Sequence, residues 1–399
     1  MNLRALAATL ICVSVAQPVR GQEFRGHLEM LGAFYPTLDL GEGRVRLFAS
    51  YETEIGDRWF VLASGHVDGL VGTGDRDATG VVRPLETFLE RRGERLQVRL
   101  GLSNLVWGVL DEIAPQDVIN PIDVARFVLE GRAAARLPVP LARLRLLLPA
   151  DLSVEAIVVP FARRGAFDQL DEARSPFSHP RVRGLPRSEL PVAPANMEGG
   201  VRLHATRAGF DWGASVYRDV VDFDRYTVSA TGLTPSRPSR WMVGSDVEAA
   251  RGEWVVRGEG AVYVGDPLQA EPLPFVVSRS TFQGGIGADR RVGESTLFLD
   301  ALYRFVPEDP LLGDPANDNE FSVVAGLTRD FSGGTRSVRL FGLWNTSDRS
   351  AFARAIWSEE LVERLNLEVG GVAFLGEGGA ISGYLTDADV VHARLRVRF

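Results

Sequence analysis

The chain has no lysine, a single cysteine, and no long apolar run past its first residues, and each absence excludes a class of protein. Cys12 lies inside the N-terminal leader, behind Thr9-Leu10-Ile11, which lacks the small residues a lipoprotein signal places before its cysteine. The chain beyond the leader therefore has no disulfide and no soft metal site. With lysine absent, every fixed positive charge is arginine, and the balance is acidic: net charge −8 and pI near 5.4. That balance argues against nucleic acid as a partner. No apolar stretch reaches the roughly 18 residues of a helical membrane span. There is also no linker, low-complexity tract or composition break, so 399 residues read as one large object rather than several soluble domains.

The chemistry-bearing motifs are missing as well. The Gly284-Gly285 and Gly370-Gly371 pairs sit within strand-like alternation and make no phosphate-binding loop. The carboxylates after Trp107 lack the D-x-D-x-D-G spacing of a calcium loop. None of the five histidines stands in a recognisable serine or aspartate motif for nucleophilic catalysis. No enzyme, cofactor or metal is expected.

What is present begins with a leader. Arg4 precedes an apolar core from Ala5 to Val15, and Ser14-Val15-Ala16 supplies small residues for cleavage. This is a secretory signal over residues 1–16, with cleavage after Gly21 as the alternative. The remainder, 22–399, alternates. In "RLQVRLGL" Leu96, Val98, Leu100 and Leu102 oppose Arg95, Gln97 and Arg99, and "VVHARLRVRF" repeats the pattern to the last residue. Period-two alternation of this kind means strands with one apolar and one polar face.

Short polar breaks, such as Gly56-Asp57, Ala208-Gly209 and Arg251-Gly252-Glu253, take turns with long connections, such as Ser103–Pro140 and Arg164–Asn196. Short turns at one end and long loops at the other predict an all-β, transmembrane antiparallel β-barrel. The count is about 18 strands of roughly ten residues, with 16 as the alternative, with both termini periplasmic. A β-sandwich or propeller would show blade repeats or two-sided turns, and neither is seen. Trp59, Phe210, Trp212, Trp241, Trp254, Trp344 and Trp357 fall near strand ends, as interfacial girdles do. Phe399 closes the chain as an aromatic assembly signal. The expected partners are outer-membrane lipid and lipopolysaccharide, the barrel-assembly machinery and a small solute.

One stretch breaks the alternation. "SNLVWGVLDEIAPQDVINPIDVARF" is dense, acidic and partly apolar, and lies within an extracellular loop, 103–140. Asn120-Pro121 predicts a helix start, with Asn120 as cap and Asp123 in the first turn. A loop with this much apolar surface is better folded into the barrel than solvated. Trp107, Asp111, Glu112, Asp117, Asn120, Asp123 and Phe127 are therefore expected to form a constriction, with the carboxylates toward the basic side of the lumen.

The residues Trp107, Gly108, Asp111, Asp117, Asn120, Pro121, Asp123 and Phe127, with Leu137-Pro138 and the region to about Phe161, resemble the signature of a bacterial outer-membrane family of unknown function. There a W-G-E-x-D-like run precedes D-x-x-N-P-x-D and an I/L-P strand. Val109 stands where that pattern often has Glu. The resemblance implies a porin-like outer-membrane barrel, sometimes found beside lipid or efflux systems.

Projecting the inward faces gives two walls. Arg25, Arg44, Arg46, Arg95, Arg99, Arg143, Arg145, Arg202, Arg394, Arg396 and Arg398 form a basic wall; Asp211, Asp246, Glu248, Glu259, Asp289 and Asp300 form an acidic one opposite. Facing walls would set a transverse field across a pore; local pairing across strands is the alternative. The function expected is a porin-like channel for small polar, charged or amphipathic solutes, the alternative being a non-conducting outer-membrane scaffold or receptor for a periplasmic or surface partner.

Overall fold

The computed structural model describes residues 22–74, 78–167, 170, 175–177, 185–229, 232–270, 275–309, 319–376 and 385–399. The leader lies outside the described residues. Eighteen antiparallel strands form one sheet that closes on itself. The first strand, Gln22–Tyr35, pairs with the last, Val390–Arg398, from His27↔Arg398 to Phe34↔Val391. Strand length departs from the expected ten, running from eight residues in Leu96–Ser103 and Leu152–Val159 to 17 in Val276–Val292. A bilayer core needs only about ten tilted residues, so the longer strands continue past it as hairpins.

The turns at the end that carries both termini are tight. Ala208 and Gly209 both take positive φ (54° and 81°), which matches a two-residue connection to the right-handed twist of its strands. At the other end lie the long connections, one of which holds a small separate hairpin, Arg225–Ser229 with Gly232–Ser236. Pro84 sits inside the strand Thr79–Arg92, opposite the register shift between Ala63 and Gly65, where no ladder donor is demanded of it.

Apolar residues cover the outside. Val82 and Ile286 are 75% and 69% exposed, a surface that water would not tolerate at this density and that lipid covers. Phe24, Trp59, Phe210 and Trp254 lie outward near the terminus-bearing rim, with Phe34, Trp241, Phe305 and Trp344 near the opposite one. Two aromatic girdles therefore bracket the belt. The polar alternation faces inward, and the buried apolar clusters lie inside the barrel, where a segment of chain fills it.

Candidate functional site: a loop across the lumen

Residues 104–138 leave the strand Leu96–Ser103 at the loop-bearing rim and return in Val139–Leu148. Asn120 closes the neck of this excursion. Its amide donates to the carbonyls of Ser103 and Leu137, both at 3.1 Å, and its oxygen accepts from Leu105 N at 2.7 Å. Every bond the side chain makes here ties the loop's two roots together, so it does not cap the helix as expected.

The cap is Asp123, which accepts from Arg126 N at 3.3 Å and starts α1, Val124–Glu130. Pro121 to Asp123 run extended, with Ile122 bridged to Arg136 and Asp123 to Ala166. A second short helix, α2, lies just beyond at Arg132–Ala135.

Two apolar anchors fix the loop at opposite sides. Trp107, 1% exposed, packs with Ile119, Ile157, Tyr217, Met242 and Tyr263. Its ring meets Tyr217 edge-on at 5.6 Å, and Nε1–H donates to Glu155 at 2.9 Å. The second anchor is α1. Phe127, Val128 and Leu129 pack with Phe341, Phe352, Phe374 and Tyr35, and Phe127 stacks on Phe352 at 6.3 Å. Fully burying each such side chain is worth about 1.5–3 kcal/mol, so the anchors offset part of the cost of ordering the loop, and its many polar contacts must supply more.

Polar contacts set the register. On the wall built by strands Phe210–Val220, Ser239–Arg251 and Trp254–Gln269, the carboxylate of Glu259 accepts from the backbone N–H groups of Val109 (2.6 Å), Leu110 (2.9 Å) and Gln116 (2.9 Å). The Gln116 side chain donates to Asp246 at 3.0 Å and accepts from Ser215 Oγ at 2.6 Å. It rests on Gly244, where a Cβ would come 2.6 Å from its oxygen. Tyr263 donates its hydroxyl to the carbonyl of Pro115.

On the other side Arg354 donates to the carbonyls of Phe127 (2.8 Å) and Val128 (3.3 Å), where a helix C-terminus favours a cation. Glu130 meets Arg44 at 3.0 Å and Arg394 at 3.1 Å. Burial pushes the Glu130 carboxyl up, but Arg126, Arg394 and Arg44 together hold it well below the usual range.

The expectation that the loop's carboxylates face the basic side needs correction. Asp111 lies 3.4 Å from Arg257, among Glu248 and Asp289 on the acidic side. Asp117 stays within the loop, 2.7 Å from both Arg132 and Arg136. Glu112 accepts from Arg132 N at 2.9 Å and lies 3.5 Å from Arg354. Of these four only Asp123 reaches the basic side, 3.5 Å from Arg83; the loop's main contact there is Glu130, which was not anticipated. A loop that crosses the barrel places its acids on both walls.

The opposed walls are likewise corrected, because most of these charges pair with neighbours. Arg44 meets Glu29 (2.8 Å), Arg46 meets Asp68 (2.7 Å), Arg99 meets Glu90 (3.1 Å), and Arg143 meets Glu155 (2.6 Å). Arg394 reaches Glu368 at 3.0 Å and Arg396 reaches Glu29 at 2.6 Å. Arg202 pairs with Asp246 at 2.8 Å, across the bare surface of Gly213. Arg145 approaches Ser153 at 3.4 Å, and Asp211 accepts from Thr206. Asp300 is buried beside Leu110 and Gly287. Arg25, Arg95 and Arg398 remain exposed near the terminus-bearing rim, Arg25 2.5 Å from Glu23.

Sequence reasoning missed Glu29, Asp68, Glu90, Glu130, Gln116 and Arg354. The first three fall on the inward phase of their strands, and that phase could have found them. Gln116 and Arg354 carry no local signal, since their partners lie far along the chain.

No family model and no curated protein matches the chain. Solved structures do match in fold. Pseudomonas aeruginosa OpdQ aligns with TM-score 0.56 at 10% identity, over 96% of this chain and 99% of that one. The outer membrane protein opdK from Pseudomonas aeruginosa gives 0.55 at 9%, over 96% and 99%, and Pseudomonas aeruginosa OccK5 (OpdH) gives 0.54 at 10%, over 95% and 97%.

Proposed function

We propose that this barrel is a porin-like channel of a Gram-negative outer membrane, passing small polar, charged or amphipathic solutes, with residues 104–138 as its constriction. The observation that supports this most is the reach of the loop: it is bonded to Glu259 on one wall and to Arg44, Arg354 and Arg394 on the other. A segment held at both sides of a lumen decides what passes. The likeness of Trp107–Phe127 to an outer-membrane family signature belongs to the same reading, as do export by a cleaved signal at 1–16 and assembly directed by Phe399. The test is electrical. The purified protein in planar bilayers should give discrete conductance steps with one dominant size.

A second reading has its own support. The loop carries two apolar clusters into the barrel, as a plug would. A folded, membrane-inserted protein that never conducts would favour a scaffold or receptor for a periplasmic or surface partner.

A further inference from the structure

We infer that Glu259 is the positioning residue of the constriction: the loop's own backbone is built as an anion receptor, and its ligand is this carboxylate of the barrel wall. The inference rests on the channel reading for its functional meaning, but not for its geometry. Glu259 is 6% exposed and, among the described residues, has no arginine or histidine within ion-pair distance. Arg257, two residues away on the same strand, is occupied by Glu248, Asp289 and Asp111. Arg202 is occupied by Asp246. What neutralises Glu259 is the backbone.

Three convergent N–H groups, from Val109, Leu110 and Gln116, lie at 2.6–2.9 Å from its two oxygens. Charge-assisted bonds of this kind are about twice as strong as neutral ones. A backbone concavity that presents several N–H groups to one anion is a recognised anion site. Forming it requires Gly108, whose φ of +97° few other residues adopt and whose Cβ would come 2.8 Å from Glu259 Oε2. The acid expected to line the lumen is thus enclosed by the loop and contributes a seat for it instead of a charge to the pore.

Two measurements on the full chain in detergent or bilayers test this. In the first, amide hydrogen exchange is followed in peptides covering 108–116. E259Q keeps the shape and removes the charge. It should speed exchange in that segment at least tenfold, with little change in strand peptides or in the heat resistance of the barrel. G108A disturbs the same contact from the loop side and should give the same local loosening. In the second, single-channel current is recorded. E259Q should fluctuate toward a larger conductance at an unchanged reversal potential, whereas E248Q, which takes one carboxylate from the half-open cluster around Arg257, should shift the reversal potential toward anions.

A folded E259Q barrel whose 108–116 amides exchange at the parent rate overturns the inference, even if G108A loosens the segment. So does a shift of reversal potential in E259Q without larger openings. A silent parent channel would refute the channel reading, and the exchange result would still decide the role of Glu259.

Discussion

Replacing Trp107 should unlatch the loop in graded steps. The indole is fully enclosed, edge-on to Tyr217, and hydrogen-bonded to a carboxylate that Arg143 also holds. Truncating a buried aromatic side chain to alanine costs about 3–5 kcal/mol. At a factor of ten for each 1.4 kcal/mol, W107A raises the undocked fraction of the loop by about a hundred- to several-thousand-fold. W107F keeps a ring and loses the N–H donor to Glu155. A hydrogen bond to a charged group is worth about 1.5–3 kcal/mol, so that variant should loosen the loop by about ten- to 150-fold. Trp107 lies in no strand, so both variants should assemble into heat-resistant barrels at parental yield. Single-channel recordings at fixed salt should then show a steady parent, brief larger openings in W107F, and predominantly enlarged, noisy current in W107A. If both variants fold and conduct with the parent's step size and noise, the Trp107 anchor does not control the constriction and the reasoning fails.

Deleting Gly108 to Arg126 should raise conductance several-fold with the barrel intact; a folded deletion mutant that conducts no better than the parent places the constriction elsewhere. Replacing Phe399 with Asp removes the ring that stacks on Phe24 at 6.5 Å and covers Gly26 at the closing seam, and should lower the fraction of heat-modifiable, protease-resistant barrel. Changing Arg394, Arg396 and Arg398 together to Gln leaves Glu29 and Glu368 without these partners and should move the reversal potential toward cations; an unchanged value in conducting channels would put these charges outside the ion path. Because Glu130 is held below the ordinary carboxylate range, its hold on Arg44 and Arg394 is complete above about pH 4.3 and is lost as pH falls through its depressed value. Conductance noise should therefore stay flat from neutral pH to about pH 5 and grow only in stronger acid; growth already near neutrality would contradict this.

Much of the barrel was legible because period two is a local property. Arg95 to Leu102 and Val391 to Phe399 declare their two faces within eight or nine residues, and Ala208-Gly209 declares its turn within two. The ion pairs were half legible. Arg143 and Glu155 lie on one hairpin, whose three-residue turn sets their register. Arg202 and Asp246 do not, since they meet across an intervening strand at Gly213, and nothing local says that strand is bare there. The loop's inward fold could be anticipated from its apolar content. Its seat could not, because Glu259 lies far along the chain from Val109 and Gln116. The helix start was misjudged because two capping residues, Asn120 and Asp123, stand three apart; the neck consumed the first and left the second to the helix.

The contacts of Glu130 also order the events of folding. Arg44 sits on the second strand and Arg394 on the last, and the two stand side by side only after the final strand has zipped onto the first. Arg354, which receives the end of α1, arrives nearly as late. Until closure, Glu130 lacks the paired Arg44 and Arg394 that hold the end of α1, and its seat is incomplete. Contacts between such distant segments are the slowest to form. Docking of α1 is thus the last step of assembly, and its burial marks a finished barrel from an open sheet, whereas Trp107 packs on strands between Val139 and Gln269 that do not wait for closure. A chain stalled before closure carries a sticky, acidic hairpin at its outer rim, a natural handle for aggregation or for proteolytic removal.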